Sequence, residues 1–263
     1  MSETVKKYDY VLYLGKLCHG ASLVNNNGLK LFDGPWDWSG TGKADGIYKR
    51  IKALYKDFDH WFDYRDFVPM KPEYAAEIGD FTWALRYKKD VANQPQHAPV
   101  CKEVPRYNPK TLTYYYHDFF DNQPVEEQFP AFKEKYLRRC ERCRSFIEAA
   151  DSVLLIYMSH LADQKKDVRL DDTRVVSLIK RLREKYPSKT IDLYMFEHSP
   201  NFHDGNYIRS VLDIGIIRYI SNHDEVFPEN DDDIRHRANT FMMPKSVCKI
   251  LEHIELSDKF KMI

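Results

Sequence analysis

Apolar and polar positions along the chain follow two periods in turn. Short runs dominated by β-branched and aromatic residues, Tyr10–Leu14, Val153–Met158, Ile191–Phe196 and Ile214–Ile220, have the character of buried strands. Between them apolar residues recur at helical spacing: Ile47, Ile51, Leu54 and Phe58; then Phe132, Tyr136, Cys140, Cys143, Ile147 and Ala150; then Val175, Ile179, Leu182 and Tyr186. Asp171 or Asp172 is placed to cap the third of these helices, and Pro187 stands just past its end. A last helix is predicted near Pro244–Ile254. Strands alternating with helices predict an α/β fold, with a mainly parallel central sheet covered on both faces. No linker or repeat divides the chain, so a single three-layer domain over residues 1–263 is expected. Residues 61–130 break the pattern and predict an irregular insertion or lid. Within it Phe81–Tyr87 and Thr111–Tyr116 are candidate strands, and Val91–Pro109 a long loop.

Charge and composition narrow the partners. Forty Lys and Arg balance forty Asp and Glu, which argues against a nucleic-acid partner, since such binders carry a basic excess. No apolar stretch reaches the length of a membrane span, so no membrane partner is expected. The five cysteines are scattered and odd in number, unlike a secreted disulfide framework, and no basic-then-apolar leader opens the chain. An intracellular, cytoplasmic location is therefore expected. The turn from Gly15 to Gly20 lacks the Gly-Lys-Ser/Thr of a phosphate loop and the three glycines of a dinucleotide fingerprint, and no cofactor is expected.

The candidate chemistry centres on Cys18. The apolar run Tyr10–Leu14 ends at Gly15, and Cys18-His19-Gly20-Ala21 follows, which reads as strand, tight turn and first helical turn. A thiol there meets the unpaired N–H groups of the helix start, which favour the thiolate. Packing of an inert thiol in the core is the competing reading. Gly34-Pro35-Trp36-Asp37-Trp38 sets a carboxylate between two indoles, either as a turn cap or as a functional group in an apolar wall. Tyr114-Tyr115-Tyr116-His117-Asp118-Phe119 ends an aromatic strand on a histidine able to serve a thiol as base. Asp118 suits a turn cap better than it suits His117, because neighbours on a strand face opposite ways. Cys140 and Cys143 fall on one apolar seam and are expected to pack rather than to bind metal. His198–Asp204, Asn222–Glu225 and Asp231–Asp233 would serve a metal or a glycan substrate, but solvated loops explain them more simply, and no metal site is expected.

Leu14-Gly15-x-x-Cys18-x-x-Ala21, Gly34-Pro35-Trp36-Asp37-Trp38 and His117-Asp118-Phe119 occur in an order that resembles a family labelled putative papain-like cysteine peptidase, otherwise a domain of unknown function. The likeness continues through Tyr136–Tyr157. It implies Cys18 as nucleophile and His117 as base; the third, orienting group has no clear match in it, and Asp37, a member of the shared motif, is the preferred candidate. His19, Trp36, Trp38 and Asp118 would then contact substrate. A papain-like fold sets its cysteine helix against a largely antiparallel sheet, whereas this alternation predicts parallel strands. The resemblance therefore leaves several functions open. One is a cysteine-dependent hydrolase or acyl transferase acting on a small molecule, peptide or glycan, with N–H groups near Leu17–His19 as oxyanion hole. The alternatives are a glycan-modifying or glycosyl-transferring enzyme and a non-catalytic binding module.

Overall fold

The structure is a computed structural model that describes residues 5–15, 18–41, 44–70, 103–159, 169–198, 207–221 and 245–260. Among the described residues its main sheet has five strands: β2 (Tyr10–Tyr13), β7 (Ser152–Met158), β8 (Thr190–His198), β10 (Ile216–Ser221) and β9 (Ile208–Asp213), in that spatial order. The first four run parallel and β9 is antiparallel, so the sheet is mixed but mostly parallel. The largely antiparallel sheet of a papain-like arrangement is not its framework. Register aligns Leu12 with Leu155 and Leu155 with Leu193.

Side-chain alternation along these strands supplies two cores. Tyr10, Leu12, Val153, Leu155, Tyr157, Leu193 and Met195 face one. It is covered by helices α2 (Ala44–Tyr55), α3 (Val125–Ala149) and α4 (Asp172–Lys185), through Ile47, Ile51, Tyr136, Ile147 and Ile179 among others. Val11, Tyr13, Leu154, Ile156, Tyr194 and Ile217 face the other, with α1 (Cys18–Asn26) and α5 (Lys245–Leu251) contributing Leu23, Val24, Val247 and Leu251.

Helix α4 starts as its sequence requires, with the Asp171 carboxylate accepting the Arg174 N–H at 2.8 Å. Helix α3 begins earlier than its apolar stripe, at Val125, with Glu126 and Glu127 in its first turn. Ile214 does not join a strand. It is 84% exposed in the turn of the hairpin between β9 and β10, so β10 starts at Ile216. Strand β9 escapes a periodicity argument because its residues stay largely exposed.

Two smaller sheets complete the described residues. Strand β1 (Lys6–Tyr8) pairs in parallel with β11 (Ile254–Leu256). An antiparallel sheet runs in the order β3 (Ser39–Gly40), β6 (Thr113–Tyr115), β5 (Arg106–Asn108), β4 (Val68–Pro69). Within residues 61–130 the described strands are β4, β5 and β6, and β6 falls inside the candidate strand Thr111–Tyr116. The candidate strand Phe81–Tyr87 and most of the Val91–Pro109 loop lie outside the described residues. Among the described residues no helix is long and apolar enough to cross a membrane.

Candidate active site

Strand β2 ends at Tyr13, Gly15 turns the chain at φ 87°, and α1 begins at Cys18. Positive φ strains residues that carry a Cβ, and a Cβ built on Gly15 would also fall on Nη1 of Arg50. Gly20 packs on the Tyr13 ring, where a Cβ would overlap the phenol. The backbone of Cys18 thus stands at a helix start beyond the carboxyl end of a parallel strand, where α/β proteins bind ligands. The side chains of Cys18 and His19 lie outside the described residues.

Below this turn lies a residue that the motifs do not name. Arg50, on α2, has no solvent exposure. Its Nη1 donates to the Leu14 carbonyl at 2.7 Å and its Nη2 to Ser39 Oγ at 3.3 Å. The guanidinium lies 5.8 Å from the Trp36 ring centroid, a cation–π distance. Tyr115, Tyr13 and Tyr114 are among the groups whose electrostatics act on it. Burial pushes the Arg50 pKa down to about 10, which leaves it a cation at neutral pH. One side chain therefore joins the cysteine turn to the segment Trp36–Ser39, which neighbours the aromatic strand that leads to His117. The last two are joined directly, since Ser39 pairs with Tyr115 and Gly40 with Tyr114 across β3 and β6. A signal for Arg50 exists in the sequence: it stands three residues after Ile47 and four before Leu54, on the apolar stripe of α2.

His117 is half-exposed, and its Nδ1 lies 2.7 Å from Glu103 Oε1. Glu103 bridges antiparallel to Phe120, and the Val104 N–H donates to the Phe119 carbonyl at 2.7 Å, which holds this carboxylate beside the histidine segment. Nothing in the spacing of residues 103 and 117 announces the pair. Asp118 turns away from the solvent instead of capping a turn. Its carboxylate accepts the Tyr136 hydroxyl at 2.9 Å and pairs with Lys135, which ties the segment to α3.

Asp37 is buried and takes the Gly34 N–H and the Lys30 ammonium, both at 2.9 Å. Lys30 is shared with Asp33, which also receives Arg139 at 3.0 Å. Trp36 is buried against Phe58 and Trp61, and the Lys30 ammonium lies over the Trp38 ring at 5.3 Å. The crevice that Asp37 lines with Tyr10, Leu12, Lys30 and Phe32 holds about 10 Å³, room for one water. Three carboxylates thus go to separate partners: Asp37 to Lys30 and Gly34, Asp118 to Lys135 and Tyr136, Glu103 to His117.

Burial raises the Asp37 carboxyl above its usual value, against the pull of Lys30 and the Gly34 N–H. A carboxyl whose native pKa is raised opposes folding while it is charged, and that opposition fades as pH falls through the raised value toward ~3.9. Wild type should therefore gain stability relative to Asp37→Asn over that window. Paired urea titrations check this, and a gap that widens the other way would refute it.

Cys140 and Cys143 are buried on α3, as their apolar seam predicts. Burial raises both thiols, Cys143 to about 12, and Cys143 also contacts the Tyr10 hydroxyl. Neither should react with iodoacetamide in the folded protein at pH 8, and both should react in urea. Mapping the alkylated peptides checks this. The loops carrying His203, Asp204, His223, Asp224, Glu225 and Asp231–Asp233 lie outside the described residues, which hold no group of three or more His, Cys, Asp or Glu suited to a metal.

The structure thus defines an α/β chain whose first core strand leads through a glycine turn to a helix that opens on a cysteine. Residues 9–200 match the family described as "Putative papain-like cysteine peptidase (DUF1796)", and the chain belongs to that family. The match runs past residue 160, through β7, α4 and β8. No curated protein and no solved structure matches the chain.

Proposed function

We propose that this chain is a cysteine-dependent hydrolase or acyl transferase built on a single three-layer α/β domain, with Cys18 as nucleophile and His117 as base. The observation that carries the reading is that Arg50 joins the cysteine turn to the segment Trp36–Ser39, which neighbours the strand before His117. In the reaction, His117 takes the Cys18 proton and the thiolate forms a C–S bond to the acyl carbon. The carbonyl oxygen carries the negative charge toward N–H groups at the start of α1. As the oxyanion collapses, the leaving group departs with the proton from His117. Water or another acceptor then attacks the thioester, gives its proton to His117 and releases the thiol. Glu103, at 2.7 Å from Nδ1, fixes the imidazole. The substrate is an acyl compound: a small molecule, a peptide or an acylated glycan.

Limited iodoacetamide labelling across a pH series, read by peptide mass spectrometry, tests the assignment. Cys18 should label about tenfold faster than Cys248 at pH 7, with a midpoint well below the ordinary ~8.5 of a thiol. His117→Ala should slow Cys18 near neutral pH and leave Cys101 and Cys248 alone. A Cys18 that labels no faster than those two removes the nucleophile.

A further inference from the structure

Arg50 has a second property: among the described residues it has no counter-charge. Buried arginines ordinarily keep a carboxylate close, because an unpaired charge in a low-dielectric interior is costly. Arg139 has Asp33, and Arg218 has Asp172 and Glu197. Arg50 is fully buried and, among the described residues, no carboxylate pairs with it. Its partners are a carbonyl, a hydroxyl and an indole face, and its Nε has no hydrogen-bond partner. A positive charge held this way stabilises whatever negative charge develops nearby. The nearest backbone is Leu14–Gly15, and Cys18 follows three residues on, within about 11 Å by chain reach.

We propose that Arg50 is a positioning residue for the reaction at Cys18: it clamps the turn between β2 and α1 through the Leu14 carbonyl and Gly15, and its charge, which no described carboxylate offsets, stabilises negative charge at the start of α1. This rests on the reading of Cys18 as the nucleophile. The two contributions act together. The clamp sets where α1 begins, and therefore which N–H groups remain open at its first turn. The charge then favours the Cys18 thiolate before attack and the oxyanion after it. Because the guanidinium is screened by protein and not by solvent, its influence should outlast added salt. Exposed lysines and the exposed end of a helix are screened by salt within the first turn.

The test follows Cys18 alkylation against pH in wild type, Arg50→Lys and Arg50→Met, with Cys248 as internal reference and thermal unfolding recorded alongside. Arg50→Met should raise the Cys18 midpoint by a unit or more and slow labelling at pH 7 about tenfold, leaving Cys248 within twofold. Arg50→Lys, which keeps the charge, should restore most of the rate even where its melting temperature falls. A merely structural role would lower both melting temperatures and leave the Cys18 midpoint in place, and that result overturns the proposal. Should Arg50→Met fail to fold, wild type in 1 M KCl decides. A Cys18 midpoint that stays low supports the buried charge, and one that rises to an ordinary thiol value overturns it. A wild-type Cys18 that titrates as an ordinary thiol in low salt defeats the nucleophile reading itself. A low wild-type midpoint unchanged by Arg50→Met defeats only the role of Arg50.

Discussion

Arg218→Met should lower stability by about 3–5 kcal/mol, the range for removing one partner of a buried ion pair. Arg218 lies on β10 with its side chain 8% exposed, and its Nε is 2.8 Å from Glu197 Oε2 on the neighbouring strand β8. The Glu197 side chain has no exposure, and its other oxygen accepts the Leu170 N–H at 2.9 Å. The same guanidinium reaches Asp172 at the start of α4 and donates to the Leu170 carbonyl at 2.6 Å. Methionine keeps the volume but removes the guanidinium from beside the buried Glu197 carboxylate. It also leaves the Leu170 carbonyl without this donor. Arg218→Met with Glu197→Gln should recover much of the loss, because the charge left behind is then gone. Urea denaturation of the two variants measures both. A loss under 1 kcal/mol for Arg218→Met would mean that water reaches Glu197, and the buried pair would no longer explain how the ends of β8 and β10 are held.

Trp36→Ala should cost about 3–5 kcal/mol as well, through a different mechanism. The indole is 1% exposed, with its ring 5.9 Å from Phe58 and 6.1 Å from Trp61, centroid to centroid. Alanine would leave a cavity that these rings fill only in part, and would strip Arg50 of its aromatic face. Trp36→Phe keeps the apolar contact and should cost far less. Thermal and urea unfolding of the pair separate the two. Equal losses would show that the indole N–H or its exact shape matters more than filled volume. This prediction also gives the Trp36 motif a physical meaning: the indole is a core plug beneath Arg50.

Elements that carry their own periodicity or apolar character could be read from the chain. The strands near Tyr10, Val153 and Ile191 and helices α2, α3 and α4 announce themselves because each is amphipathic or apolar over its own length. The Asp171 cap is legible because its partner is the Arg174 N–H three residues on. Strand β9 and the short strands β3, β4 and β5 are not legible, because two or three residues, or a mostly exposed edge, carry no period to detect. Ile214 misled the reading in the opposite way: an isoleucine beside a glycine looks like the start of a strand, but the turn exposes it.

The candidate site divides along the same line. By itself the chain specifies a mostly parallel α/β framework, a glycine turn after the first core strand, a cysteine opening the next helix, and membership in a family whose match spans residues 9–200. Only the tertiary structure decides who partners whom. Asp37 goes to Lys30, and Asp118 to α3. His117 receives Glu103, and Arg50 joins the cysteine turn to the segment Trp36–Ser39. A helix is set by bonds to residues four positions away and a strand shows in the character of its own side chains, and a linear pattern records both. A buried charge takes its partner from whatever the folded chain brings within about 3 Å, and sequence spacing carries no record of that approach.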